Sequence, residues 1–178
     1  MVYILLADGF EEIEALTPAD IMRRAGIDVT TVSIKQDKTV TGSHGIPVIA
    51  DTVITDVEPE DVTLLMLPGG MGHELLDASN EVHYLINEAV TREQYIAAIC
   101  AAPSILGKKM ILNGKDATCF PGYEKYLYGA NVLPDKVVTD GKFITGKGAG
   151  AAAEFGFKIV EILKDKATAD DVRKKMQY

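Results

Sequence analysis

Short β-rich runs alternate with helical stretches along the chain, an order that predicts an α/β fold in which a mostly parallel sheet is covered by helices on both faces. Two observations carry the prediction: the apolar runs are strand-sized, and the segments between them repeat apolar residues at three- and four-residue spacing. With 178 residues, 47% of them hydrophobic and 25% charged, there is enough apolar material for one sizeable core, so a single domain over 1–178 is expected. The expected strands are Val2–Ala7, Asp28–Ile34, Val62–Leu67, Tyr95–Ile99 and Ala117–Cys119. Val137–Thr139 and Lys142–Thr145 read as a hairpin across Asp140-Gly141, and Pro47–Ile49 as an added edge strand. Between them, Glu11–Ala25 is helical with an interruption expected at Pro18, and Gly26 stops it. Further helices are expected at Glu81–Thr91, Ala102–Met110, Ala151–Lys164 and Ala169–Met176.

Charge and composition exclude several classes. The 26 acidic against 18 basic side chains give a net charge of −8, and no Lys/Arg cluster offsets it, so nucleic acid is not an expected partner. The apolar run Val2–Ala7 has no positively charged leader and meets Asp8, Glu11 and Glu12 at once; it reads as neither signal peptide nor membrane span, and no later segment approaches spanning length. With only Cys100 and Cys119, a disulfide framework is not expected, and free thiols in a reducing cytoplasm are.

The chemistry starts at Tyr95–Leu106, YIAAICAAPSIL, where an apolar strand ends at Cys100 and Pro103 pre-sets a helix. That is a nucleophile-elbow layout, and Ala98, Ala101 and Ala102 leave room for the sharp turn. Helix-terminal amides there favour a thiolate, so Cys100 is expected to titrate below an ordinary cysteine. Local spacing alone equally allows a buried structural cysteine. Leu67-Pro68-Gly69-Gly70 follows another strand; it reads either as a plain turn or as a place where bare amides approach a developing oxyanion, with Gly69, Gly70 and Ala101 as donors. Ala7–Glu14 follows a third strand. Glu11 and Glu12 read as solvated helix-terminal charges, whereas Glu14, among Ile13, Ala15 and Leu16, points into the cleft or lies on a solvated face. In the cleft its carboxyl would stay protonated and donate to a thiolate.

These pieces, in this order, resemble the ThiJ/PfpI superfamily, in its parkinsonism-associated protein deglycase branch. The resemblance covers nearly the whole chain: GFEEIEALTPADIMRRAGI at Gly9–Ile27, GSHGIPVIAD at Gly42–Asp51, LPGG at Leu67–Gly70, AAICAAP at Ala97–Pro103 and GKGAGAAAEFGFKIVEIL at Gly146–Leu163. It implies a flavodoxin-like three-layer sandwich, Cys100 as nucleophile, Glu14 as its protonated partner, Gly69, Gly70 and Ala101 as oxyanion donors, and a homodimer. Two departures stand out. Ala101 follows the cysteine where the protease-like branch has a histidine, which argues against an intracellular protease or amidase. Phe120, in Cys119-Phe120-Pro121, stands where several deglycase-branch members carry a histidine, leaving acid–base work to Glu14.

His44, His73 and His83 show no paired metal-ligand spacing, so no metal is expected; His44 reads as a surface loop residue. Gly146-x-Gly148-x-x-Ala151 matches the dinucleotide fingerprint formally, yet no further strand and acidic ribose ligand follow, and no cofactor is expected. Cys119 reads as a buried strand-end residue or a second redox-sensitive thiol. The resemblance implies a glyoxalase III-like or deglycase enzyme acting on methylglyoxal-like carbonyls, or on glycated thiols and amines of proteins. The alternative is an oxidative-stress sensor in which Cys100 is oxidised and dimer surfaces serve as a chaperone.

Overall fold

The first strand shows how the layers arise. All five residues of β1, Val2–Leu6, are buried, as in a strand covered on both sides. Side chains alternate across a strand, and accordingly Val2, Ile4 and Leu6 enter one apolar cluster while Tyr3 and Leu5 enter another. In this computed structural model, which describes residues 1–178, the chain runs on through α1 (Glu12–Arg24), β2 (Val29–Ser33), β3 (Thr39–Thr41), β4 (Pro47–Ile49), β5 (Thr52–Val53), β6 (Leu64–Leu67), α2 (His73–Ala78), α3 (Asn80–Thr91) and β7 (Tyr95–Ile99). Then follow α4 (Pro103–Lys108), β8 (Asp116–Ala117), β9 (Asn131–Val132), β10 (Val137–Asp140), β11 (Phe143–Gly146), α5 (Ala152–Leu163) and α6 (Lys166–Lys175).

Seven strands make the main sheet, in the order β10-β11-β7-β6-β1-β2-β5, parallel throughout except for the β10–β11 hairpin. The first cluster packs Ile21, Phe155, Phe157 and Val172 from α1, α5 and α6 against one face. The second packs Val82, Ile86, Ile105 and Leu106 from α3 and α4 against the other. This is the three-layer α/β arrangement the sequence predicts.

Four local expectations change. The helix is not interrupted at Pro18: α1 is continuous, although Pro18 has no amide to donate to the carbonyl of Glu14. Packing overrides the missing bond, because buried Pro18 lies against α5 at Gly156, where an added Cβ would sit 3.0 Å from the Pro18 Cα. The expected strand Ala117–Cys119 shrinks to β8, which pairs in parallel with β9 outside the main sheet. There the Thr118 amide turns to the Thr145 hydroxyl, at 2.9 Å, and leaves the ladder. Pro47–Ile49 is a strand as expected, but it pairs with β3 in a separate hairpin and not at the sheet edge. The short helix α2 was not foreseen; it has no side-chain cap, and six residues are too few for a periodic signal.

At Gly156, α5 packs against Pro18 and Ile21 of α1 with no side chain of its own between the helices. Gly156→Val should lower stability by about 1–3 kcal/mol by overpacking this crossing. Urea unfolding measures it, and an unchanged midpoint would mean that the two helices can separate freely.

Candidate active site

β1, β6 and β7 lie side by side, and the three crossovers leaving their carboxyl ends meet in space. In an open α/β sheet this edge is where ligands bind. The first crossover carries Glu14, the second Gly69 and Gly70, and the third Cys100. Backbone bonds lash the first two together: the Glu11 amide donates to the Gly69 carbonyl at 3.1 Å, and the Gly72 amide to the Gly9 carbonyl at 2.8 Å.

Cys100 has a φ of +65°, a conformation that a non-glycine residue holds only when its surroundings impose it. Both of its peptide groups are engaged. Its amide donates to the Gly146 carbonyl at 2.8 Å, and its own carbonyl accepts from the Phe120 amide at 2.8 Å. The strand therefore breaks sharply into α4 with the half-buried sulfur at the bend, the elbow layout expected from YIAAICAAP.

Glu14 reaches the same point from the opposite side. It is 1% exposed, and its Oε2 accepts the Gly69 amide at 2.9 Å. One turn earlier, Glu11 caps the helix by accepting the Glu14 amide at 2.8 Å, which fixes the register of the buried carboxyl. Gly69 has no side chain because there is no room for one. A Cβ there would lie 2.5 Å from Glu14 Oε2, 2.6 Å from the Cys100 Cβ and 3.0 Å from its Sγ. The carboxyl and the thiol thus face each other across a bare peptide, close enough for each to shift the other's titration.

Two acidic groups in one enclosed space compete for ionisation. Burial is the main cause that pushes the Glu14 carboxyl up to about 7, with the Glu11 charge adding to it; the Cys100 thiol and the Gly69 and Ala149 amides pull the other way. Burial likewise pushes the Cys100 thiol up to about 12, followed by the Glu14 charge, while the Gly70 and Ala101 amides aimed at the sulfur oppose the rise. The expectation that Cys100 titrates below an ordinary cysteine is therefore corrected. α4 is only six residues long and has a weak dipole, and two amides do not outweigh burial beside a carboxylate. The pair gives up one proton near neutrality and holds the second, so a thiolate forms at moderate pH only with the proton parked on Glu14.

The five expected site residues converge, with a division among the amides: those of Gly70 and Ala101 address the sulfur, whereas that of Gly69 is committed to Glu14. Glu12 departs from its expected solvated role. It is 6% exposed and holds the β3–β4 turn, accepting the His44 amide at 2.8 Å and meeting His44 Nδ1 at 2.7 Å. Glu11, Glu12 and His44 are also the one grouping whose donor atoms lie close enough for a metal, but the cap and the turn already occupy their bonds. Residues 32 apart in sequence leave no spacing signal. Gly146–Ala151, the formal dinucleotide fingerprint, instead borders the pair: a Cβ at Gly148 would lie 3.3 Å from Phe120 and 3.9 Å from Glu14 Oε1. Cys119 is buried, and burial followed by the Glu124 charge pushes its thiol up to about 12.

The sequence profile described as the DJ-1/PfpI family matches residues 1–162. The chain belongs to this family. It is 36% identical over 174 residues to protein dj-1beta of Drosophila melanogaster, covering 96% of this chain and 93% of that protein. It is 37% identical over 174 residues to DJ-1 homolog B of Arabidopsis thaliana, covering 96% of this chain but 40% of that protein, so it spans less than half of that relative's length. The solved structure "Toxoplasma gondii DJ-1, oxidized" superposes with a TM-score of 0.95 at 31% identity, over 99% of this chain and 97% of that one. The family and fold implied by the GFEEIEAL, LPGG and AAICAAP segments are thereby established, and no helix is long and apolar enough to cross a membrane.

Two outcomes test the pairing in this DJ-1/PfpI chain. Glu14→Leu removes the carboxylate that, after burial, does most to hold the thiol up, so Cys100 alkylation should set in at lower pH than in the unaltered protein; an unchanged profile would mean the two groups do not interact. Stability should also respond. Because burial raises the carboxyl's pKa from 4.5 to about 7, the proton is held more tightly in the folded state; the stability this supplies is complete below pH 4.5 and is lost as pH rises through about 7. The loss is roughly 3 kcal/mol. Glu14→Gln, neutral throughout, should flatten this decline in urea titrations on either side of neutrality, and parallel curves for both proteins would place the charge elsewhere.

Proposed function

We propose that the chain is a cofactor-independent glyoxalase-type enzyme acting on 2-oxoaldehydes such as methylglyoxal, with Cys100 as nucleophile and Glu14 as proton carrier. The supporting observation is the buried Glu14 carboxyl set against the Cys100 sulfur across Gly69, beside the Gly70 and Ala101 amides. The sulfur bonds to the aldehyde carbon while its proton passes to Glu14 and on to the former aldehyde oxygen, giving a hemithioacetal. The Gly70 and Ala101 amides face the negative charge that develops on that oxygen. Glu14 then moves the aldehyde carbon's hydrogen, as a proton, to the neighbouring ketone carbon, while the proton of the new hydroxyl passes to the ketone oxygen. The first carbon is oxidised to a thioester and the second reduced to an alcohol, so no external redox partner is needed. Water cleaves the carbon–sulfur bond, the sulfur regains its proton, and the net change is 2-oxoaldehyde plus water to 2-hydroxy acid. The same addition, run on early adducts of these aldehydes with thiols and amines, is the deglycase form of the reaction.

A second reading has support in the description of the Toxoplasma relative as oxidized. Two equivalents of a hydroperoxide would take the Cys100 thiolate through sulfenate to sulfinate, reducing each peroxide to water or alcohol, with Glu14 donating to the new anion. The partner implied by the family is a second copy of the chain. Ile13, Ile46 and Ile49 are exposed on α1 and beside the β3–β4 turn, which the Glu12–His44 contact joins, and they offer apolar surface for it. Two free thiols suit a reducing compartment such as the cytoplasm.

Multiple-turnover consumption of methylglyoxal, with the product identified, separates the readings. Lactate should form catalytically, be abolished by Cys100→Ser and persist in Cys119→Ser. Consumption that stops near one equivalent per Cys100 would favour the oxidation sensor instead.

A further inference from the structure

Beside the reacting pair is a cavity of about 370 Å³ whose walls include Phe120, Pro121, Lys136, Lys147, Gly148 and Ala149. Its position is set by bonds already described: Phe120 is held through its amide to the Cys100 carbonyl, and Gly148 brings bare backbone between Phe120 and Glu14. A larger cavity of about 540 Å³ lies around His73 and Tyr126, but its two lysines, Lys108 and Lys125, share the wall with two carboxylates, Glu74 and Asp77, the latter 2.6 Å from Lys108. The smaller cavity differs in charge. In a chain of net charge −8, its lining contains two lysines and no carboxylate.

Neither lysine is used up by its contact. Lys147 Nζ donates to the Pro134 carbonyl at 3.1 Å, which leaves its positive charge uncompensated. Lys136 meets Glu154 at 3.2 Å in a pair with both side chains more than a third exposed, a contact of small energetic worth that a better-placed anion replaces. Phe120 is 47% exposed and offers an apolar face where a polar residue would have offered a proton.

We infer that this cavity selects the substrate: it takes the tail of a short 2-oxoaldehyde that ends in an anionic group such as a carboxylate. The aldehyde end lies at Cys100, the carbon linker lies on Phe120, and the anion lies at Lys136 and Lys147. The inference rests on the reading of Cys100 as a carbonyl nucleophile. It goes further by making methylglyoxal, which has no charged tail, a minimal substrate and not the preferred one.

The test compares 4,5-dioxopentanoate with its uncharged methyl ester. kcat/KM should favour the acid by about tenfold or more, the worth of one partly desolvated charge-assisted contact. The acid-to-ester ratio should fall toward one in a Lys136→Met, Lys147→Met double variant. Reading the ratio within each protein cancels any general loss of activity. Equal rates for acid and ester, or a ratio unaffected by the double substitution, would overturn the inference. If neither compound turns over, the proposed chemistry fails, and binding is read separately through protection of Cys100 from iodoacetamide by 4-oxopentanoate against its methyl ester. Lysine-dependent protection by the acid alone would support the anionic subsite even then, and equal protection by both would remove it.

Discussion

Everything at the site depends on how closely Glu14 and Cys100 approach across Gly69. One bare peptide separates a buried carboxyl from a half-buried sulfur, and its amide is spent on the carboxyl. That approach creates the competition for a proton from which the proposed chemistry follows. It requires three crossovers of a parallel sheet to end at one height, which the parallel registers of β1 with β6 and of β6 with β7 provide. It also requires Cys100 to occupy a left-handed backbone conformation, held by the Gly146 carbonyl on one side and the Phe120 amide on the other. Such strain persists because the surrounding apolar layers over-determine the turn.

Much of this was legible in the amino-acid order. Strand-sized apolar runs ending at Ala7, Leu67 and Ile99 announce a parallel sheet, and the residues just beyond each run are those that meet at its edge. Glu14 could be singled out because Ile13, Ala15 and Leu16 around it are apolar, although that pattern alone left a solvated face open. Other features had no local signature. The Glu12–His44 contact joins residues 32 apart, and Glu12 looked like an ordinary helix-terminal charge. The continuity of α1 through Pro18 depends on Gly156, which is distant in sequence. The Cys100 titration was misjudged because a helix terminus is visible in sequence, whereas the depth of burial and the charge of a carboxylate brought in by folding are not.

The division of labour among the glycines follows the same physics. Gly69 is required by volume: any side chain would wedge the pair apart. Gly70 is required twice over, by a φ of +77° and by volume, since a Cβ there would lie 2.5 Å from the Gly9 carbonyl oxygen and 2.6 Å from the Glu11 nitrogen. Pro-Gly-Gly could have been a plain turn, and what distinguishes it is only what folding brings beside it.

Phe120 is bound to the elbow through its backbone amide, a bond that any residue but proline would keep if the ring were exchanged. The residues that hold the proton are mutually dependent, so a change in one disables the others. Phe120 and Ala149, which line the neighbouring cavity, are tied to the pair through main-chain amides. The architecture therefore decouples reactivity from selectivity: a descendant of this chain could exchange one clientele of small molecules for another through its outer wall, inheriting the reactive centre intact.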